Sequence, residues 1–532
     1  MMQRFITERS KKQLTTDSTL VKKAPVSTYT PLLLLLILLT TAFVSSLWIN
    51  SIELRLLQST LSTTNTKPTI IGKKTSVANV VSAKDSKSEE KSSSRKRFQL
   101  EATLNCSNNG KQRCTSYPTS GVFEREEGGV CPEYFRWIHE DVGAWKERGI
   151  SREMVERAKK SAHFRLVVKR GRVYVERYKK SIQTREVFTM WGIVQLLRKY
   201  PGKVADLELM FDCDDLPVIR GSSLAGPPPL FRYCGDRWTD DIVFPDWSFW
   251  GWAEINIRPW EHVLKEMEKG NRRIKWNDRE PYAYWKGNPF VAETRQDLLK
   301  CNVSTTQDWN ARLYVQDWIQ ESQQGFNNSN LASQCTHRYK IYIEGYAWSV
   351  SEKYILACDS VTLMVKPRFY DFFIRSLQPM QHYWPIRDKG KCKSIKHAVD
   401  WGNNHKEEAQ KIGKAASKFI QEELKMDYVY DYMFHLLNEY AKLLKFEPRV
   451  PEGAEELCVE AMACTRSGLE RKFMTESMVR EPSTKAPCSL PPPLEPTSRR
   501  VFYANKLNSI RRVERWEDNY WKNSTQQLHT RI

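Results

Sequence analysis

The chain has 532 residues, length for two or three domains, and is 40% hydrophobic with 18 Trp; this excludes a disordered polymer and fits a large apolar interior. Its formal net charge of +20 is scattered among carboxylates, without zinc-finger spacing or an RNA-recognition signature. That argues against nucleic acid and for solubility plus attraction to acidic surfaces, nucleotide-sugar diphosphates or anionic polysaccharide.

Residues 1–30 form a basic tail, with Arg4, Arg9, Lys11, Lys12, Lys22 and Lys23 against Glu8 and Asp17. The run Pro31–Ile49, PLLLLLILLTTAFVSSLWI, carries no charge and is long enough to cross a bilayer. A cleaved signal peptide would begin nearer the terminus and end in an A-x-A-like site. The basic flank therefore predicts a signal-anchor with a cytosolic N-terminus, a single-pass type II membrane protein. Residues 50–115 are expected as a disordered stem, the stretch 62–97 being rich in Ser, Thr and Lys. All 12 Cys follow the anchor, from Cys106 to Cys488, with no C-x-x-C pair, so disulfides are expected and a zinc site is not signalled. Sequons at Asn105, Asn302, Asn327 and Asn523 suit a lumenal domain, and the ending HTRI is not a retrieval signal. The plan is that of a Golgi enzyme, with the endoplasmic reticulum as the alternative address.

The folded region opens near Cys131. Ser151 caps a helix through Met154 and Ala158. Phe164–Tyr178 alternates in two halves about Arg170-Gly171, which predicts a hairpin. Val187, Met190, Trp191, Val194 and Leu197 fall at helical spacing up to Pro201-Gly202, and Leu207–Phe211 reads as a strand running into DCDDLP. From Pro227 the sequence is aromatic and loop-like, followed by helical spacing over 258–269 and a strand at Tyr282–Trp285. Residues 306–323 carry a helical period. Lys340–Glu344 then reads as a strand, Gly345 as a turn, Glu352–Cys358 as a helix capped by Ser349 or Ser351, and Val361–Val365 as a second strand. Strand, turn, helix and strand make half of a mononucleotide-binding unit, with an ordinary βαβ core piece as the competing reading. Helices are expected at Lys406–Leu424 and Asp427–Leu444, and the Pro-rich tail beyond Pro448 is expected to wrap the surface or stay partly disordered.

Three readings of DCDD stand side by side. Asp212-x-Asp214 has the form of a Mn²⁺ site, Asp215 before Leu216-Pro217 suits a general base, and Asp at a strand end also serves simply as a cap. Trp247, Phe249, Trp250 and Trp252 are either core or a stacking wall for sugar rings. Arg295, a few residues past a Gly-Asn-Pro turn containing Asn288, offers a rigid cationic fork to a diphosphate, with Lys353 as a second candidate. His337 has no partner at metal or triad spacing and reads as structural. No G-x-S-x-G or Walker loop occurs, which lowers hydrolase and kinase readings.

Four motifs in order, DLELMFDCDDLP, PDWSFWGW, AYWKGNPFVAETR and YKIYIEGYAWSVSEKYILACDS, resemble the Rumi-like protein O-glucosyltransferase family over residues 130–445; CPEYFRWIHED and DYMFHLLNEYAKLL look like its plant branch. The resemblance implies an α/β fold of GT-B type, two Rossmann-like lobes with the donor in the cleft. It places an acceptor lobe at 116–265, a UDP-sugar lobe with a returning helix at 266–445 and a C-terminal extension at 446–532. It implies inverting, metal-independent transfer of glucose or xylose to a hydroxyl of a secretory-pathway protein or cell-wall glycan, with no cofactor and with Asp215 as the base, so the metal reading of DCDD becomes second. Animal members act on Ser in epidermal-growth-factor-like repeats. The donor residues carried over are Asp246, Trp247, Trp250, Asn288, Arg295, Tyr346, Ala347, Trp348, Ser349, Val350, Ser351 and Lys353. Ser351 aligns where animal members carry an Arg, so the charge there is expected from elsewhere, with Lys353 the candidate. The rival from another class is a catalytically silent, membrane-anchored carbohydrate-binding or scaffold protein, which UDP binding and UDP-sugar hydrolysis discriminate.

Overall fold

A computed structural model describes residues 104, 106, 112, 114, 129–221, 225–327 and 329–529. The chain divides into two units, Met1–Arg97 and Phe98–Ile532, and every described residue belongs to the second. The anchor expected at 31–49, its tail and nearly all of the stem lie outside the described residues, as does Asn105. Among the described residues no helix is long and apolar enough to cross a membrane.

The N-terminal half folds where its local signals are strongest. Ser151 Oγ accepts the Met154 N–H (3.2 Å) and starts the helix α1, Arg152–Ala158. Strands β1 (Phe164–Lys169) and β2 (Arg172–Arg177) pair antiparallel through Arg170 and Gly171, both at positive φ, the conformation a two-residue hairpin turn requires. Helix α2 (Arg185–Lys199) precedes β3 (Leu207–Phe211). Two-residue strands β4 (Phe231–Arg232) and β6 (Ile242–Val243) extend the sheet where the sequence reads only as loop. Between them β5 (Gly235–Asp236) pairs with a strand from much later in the chain, β11 (Phe369–Tyr370).

The second sheet is wholly parallel. It comprises β7 (Glu280–Gly287), β8 (Ala311–Val315), β9 (His337–Tyr342), β10 (Val361–Val365) and β12 (Trp384–Ile386), in the order β12-β10-β9-β7-β8. Its faces are buried in turn: Val361, Leu363 and Val365 pack into one core with Ile395 and Val399, while Met364 and Tyr342 point into the other. Residues 306–323 are not one helix: β8 occupies Ala311–Val315, with Ala311 and Leu313 buried beside β7, and only Trp318–Gln323 is helical. The predicted strand Lys340–Glu344 sits two to three residues earlier, and its helix is shorter, Glu352–Leu356.

The segment beyond Pro448 is integral rather than peripheral. Strand β13 (Glu455–Leu457) completes the first sheet, ordered β13-β2-β1-β3-β4-β6, and a 34-residue helix, Pro496–His529, seats Val513 in the second core. Disulfides Cys106–Cys464, Cys114–Cys458 and Cys131–Cys488 fasten it to the start of the described region; Cys301–Cys392 and Cys335–Cys358 tie the second sheet, leaving Cys213 and Cys234 free and buried.

Candidate active site

In the second sheet the chain runs from β7 to β8 on one side, then returns to β9 on the other. The crevice between β7 and β9 is thus a topological switch point, where open parallel sheets receive ligands at their C-terminal ends. Arg295, on the short helix Glu293–Leu298, spans it. Its Nε donates to Glu344 O (2.9 Å), Nη1 to Asn288 O (3.2 Å), and Nη2 to Ile343 O (3.1 Å) and Ser349 Oγ (3.0 Å). Arg295 is 9% exposed and makes no ion pair among the described residues; burial pulls its pKa down to about 10, with Tyr342 and Glu344 opposing only in part. Ser349 Oγ lies 2.8 Å from Ser351 Oγ. Having accepted a cationic N–H, Ser349 is the favoured donor to Ser351, so the chain of hydroxyls carries the arginine's polarisation to Ser351.

Across from it, DCDD leaves the end of β3. Asp215 Oδ1 accepts from Arg185 Nη1 (2.7 Å), and the same nitrogen donates to Cys213 O (3.1 Å). Cys234 donates its S–H to Asp215 O (3.1 Å), while the carboxylate stays partly open. Arg185 stacks on the Trp247 ring (4.4 Å to centroid), and Trp247 contacts Tyr233 and Trp348 at centroid distances of 5.1 and 6.4 Å. Trp348 precedes Ser349. Asp215, Arg185, Trp247, Trp348, Ser349 and Arg295 therefore form one continuous set of contacts between the strand ends of the two sheets.

The metal reading of DCDD meets a set of cations already in place. His163, Asp212 and Asp214 bring ligand atoms within 4.8 Å of one another. Asp212 is ion-paired to Arg232 through Oδ2 and faces His163 Nδ1 (2.9 Å) through Oδ1, and Lys179 lies 3.8 Å from Asp214. Burial alone would raise the Asp212 carboxyl, but His163 and Arg232 outweigh it and hold it below the ordinary range. A divalent ion bound here would share the Asp212 carboxylate with Arg232.

The candidate residues divide by position. Asp215, Trp247, Asn288, Arg295, Trp348, Ser349 and Ser351 lie along this set of contacts, and Tyr346 is exposed beside it. Ala347 is buried and Val350 half-buried within the same loop. Lys353 does not supply the charge at Ser351. It is buried, with Nζ on Asp246 Oδ2 (3.0 Å) and Ser248 Oγ (2.8 Å), so both Lys353 and Asp246 are spent on each other beneath the loop. Trp250 is no stacking wall: fully buried, it donates to Tyr430 Oη (3.0 Å) under α2, where a Cβ on Gly192 would lie 2.5 Å from its ring. Asn327 and Asn523 are exposed, whereas Asn302 is half-buried with Oδ1 accepting from Leu313 N–H (2.9 Å). Sequence reading passes over Arg185, Cys234 and Arg232. An Arg at a helix start carries no local sign that its partner is 30 residues on.

A family model described as "Glycosyl transferase family 90" matches residues 126–517. Similar proteins include "Protein O-glucosyltransferase 2" of Danio rerio, 26% identical over 342 residues, 62% of this chain and 66% of that protein. "O-glucosyltransferase rumi" of Drosophila melanogaster is 22% identical over 368 residues, 66% of this chain and 84% of that protein. "Protein O-glucosyltransferase 1" of Bos taurus is 24% identical over 351 residues, 62% of this chain and 84% of that protein.

Proposed function

This chain belongs to glycosyl transferase family 90 and is a glycosyltransferase, and from that premise we propose that it transfers glucose or xylose from a UDP-sugar, with inversion and without a metal. The acceptor is a hydroxyl on a secretory-pathway protein or a cell-wall glycan; the names of the relatives support the protein. One observation carries the reading: a carboxylate and a buried cation that makes no ion pair among the described residues are joined through Arg185, Trp247 and Trp348 into a single site.

In this reading Asp215 takes the acceptor hydroxyl's proton as the oxygen attacks the anomeric carbon. The bond to the β-phosphate breaks on the opposite face, and the diphosphate leaves toward Arg295 and the Ser349–Ser351 hydroxyls. A GT-B arrangement, with the first sheet as acceptor lobe and the second as donor lobe, places these groups on opposite walls of a cleft. The lumenal setting we propose, a type II Golgi enzyme, agrees with the disulfides.

The test is Asp215→Asn with UDP-glucose and UDP-xylose, following released UDP. Turnover falls by about 10²–10⁴-fold with UDP affinity unchanged, and chelator has no effect on the wild type. Unchanged turnover in Asp215→Asn refutes the base, and loss of activity in chelator refutes the metal-free reading. A wild-type chain that neither binds UDP nor hydrolyses a UDP-sugar returns the silent-scaffold reading.

A further inference from the structure

We infer that Arg185 is the positioning residue of the base: it fixes which oxygen of Asp215 faces the acceptor and ties that choice to the donor wall. This rests on Asp215 being the base. The guanidinium is held through one nitrogen and one face, while its buried Nε has no hydrogen-bond partner among the described residues. One nitrogen, Nη1, bridges the Asp215 carboxylate and the Cys213 carbonyl, so side chain and main chain of the same turn are clamped together. Its face lies on Trp247. Its own carbonyl accepts from Thr189 Oγ1 (2.8 Å), which also meets Tyr233 Oη (2.6 Å).

Such a clamp does two things. It occupies Oδ1, leaving Oδ2 to receive the proton while the acceptor oxygen forms the new bond to the anomeric carbon and the electron pair of the broken bond leaves on the diphosphate. It also holds the carboxylate against the main chain of its own turn, through the Cys213 carbonyl. Other groups bear on the same turn: Arg232 on the Asp214 and Leu216 carbonyls, Asp214 itself with Lys179 beside it, and the Cys234 thiol on Asp215 O. Among these, Arg185 is the group that touches the Asp215 carboxylate.

The link to Trp247 makes the clamp respond to the donor side. Trp247 touches Trp348, whose neighbour Ser349 is held by Arg295. A shift of the donor loop on binding therefore reaches Asp215 through three contacts, Trp348 on Trp247, Trp247 on Arg185 and Arg185 on Asp215.

The experiment uses the full chain, UDP-glucose hydrolysis with water as acceptor, and the variants Arg185→Gln, Arg185→Lys and Asp215→Asn, singly and combined. Arg185→Gln lowers kcat about 10²-fold with the KM for UDP-glucose within about threefold of wild type. Arg185→Lys, which keeps the charge but not the two-way bridge, leaves kcat still reduced. In the Asp215→Asn background Arg185→Gln costs less than about threefold more, since its effect runs through the carboxylate. The inference is overturned if the two losses multiply, if KM rises while kcat holds, or if Arg185→Lys restores full kcat. Full turnover in Asp215→Asn alone would instead sink the base assignment, whatever Arg185 does.

Discussion

Replacing Arg295 by Met should separate phosphate recognition from nucleoside recognition. The guanidinium makes four hydrogen bonds, three of them to carbonyls, and carries a buried charge that makes no ion pair among the described residues and that Glu344 offsets only in part. Burial pulls its pKa from the ordinary arginine value down to about 10, so the charged form is disfavoured by about 3 kcal/mol. A diphosphate brought next to it relieves that cost, and the relief appears as binding energy. Loss of the charge should then weaken UDP by about 10²-fold while uridine, lacking phosphate, changes less than about threefold. Ser349→Ala interrupts only the path to Ser351 and should cost UDP about tenfold, near the worth of one charged hydrogen bond. Calorimetric titration with UDP and uridine reads both, with thermal melts to show that the loop 343–351 remains folded. Equal losses for UDP and uridine, or none for UDP, would refute the assignment of Arg295 to the diphosphate.

Three further outcomes follow from the packing. Burial pushes Glu344 up to about 7 although it accepts the Arg368 and Phe369 N–H groups. A carboxyl raised in the folded state contributes stability that is present at low pH and is lost as pH rises through about 7. Glu344→Gln, which mimics the neutral form, should therefore gain up to about 3 kcal/mol on wild type between pH 5 and pH 8, read from urea midpoints; a gap independent of pH would contradict this. Gly192→Ala places a methyl 2.5 Å from the Trp250 ring and should destabilise by about 1–3 kcal/mol while lowering activity, because α2 carries Arg185. Replacing both Cys131 and Cys488 with Ser should cost about 2–5 kcal/mol, measured as a fall in melting temperature, since that bridge spans a sequence separation of 357.

The elements read correctly from sequence are those whose causes are local. The Arg170-Gly171 turn, the Ser151 cap and the apolar spacing of α2 each need only a few neighbouring residues. Strands β4 and β6 are two residues long and exist because β3 lies alongside β4 and β4 alongside β6; no period can form in so short a run. In 306–323 the helical spacing of apolar residues competed with the alternation of Ala311–Val315, and the parallel partner β7 decided for a strand.

The site divides the same way. Sequence alone placed Asp215 at a strand end, Arg295 after a turn and Ser349–Ser351 at a helix start, because residue type and position relative to an element are chain-local properties. Only the tertiary structure turned Lys353 inward to Asp246, buried Trp250 under α2 and set Arg185 on Asp215. It also made the tail beyond Pro448 part of the fold, through β13 and three long-range disulfides. Whether a charged or aromatic side chain faces a ligand or a neighbour depends on which distant group compensates it, and that is settled by packing.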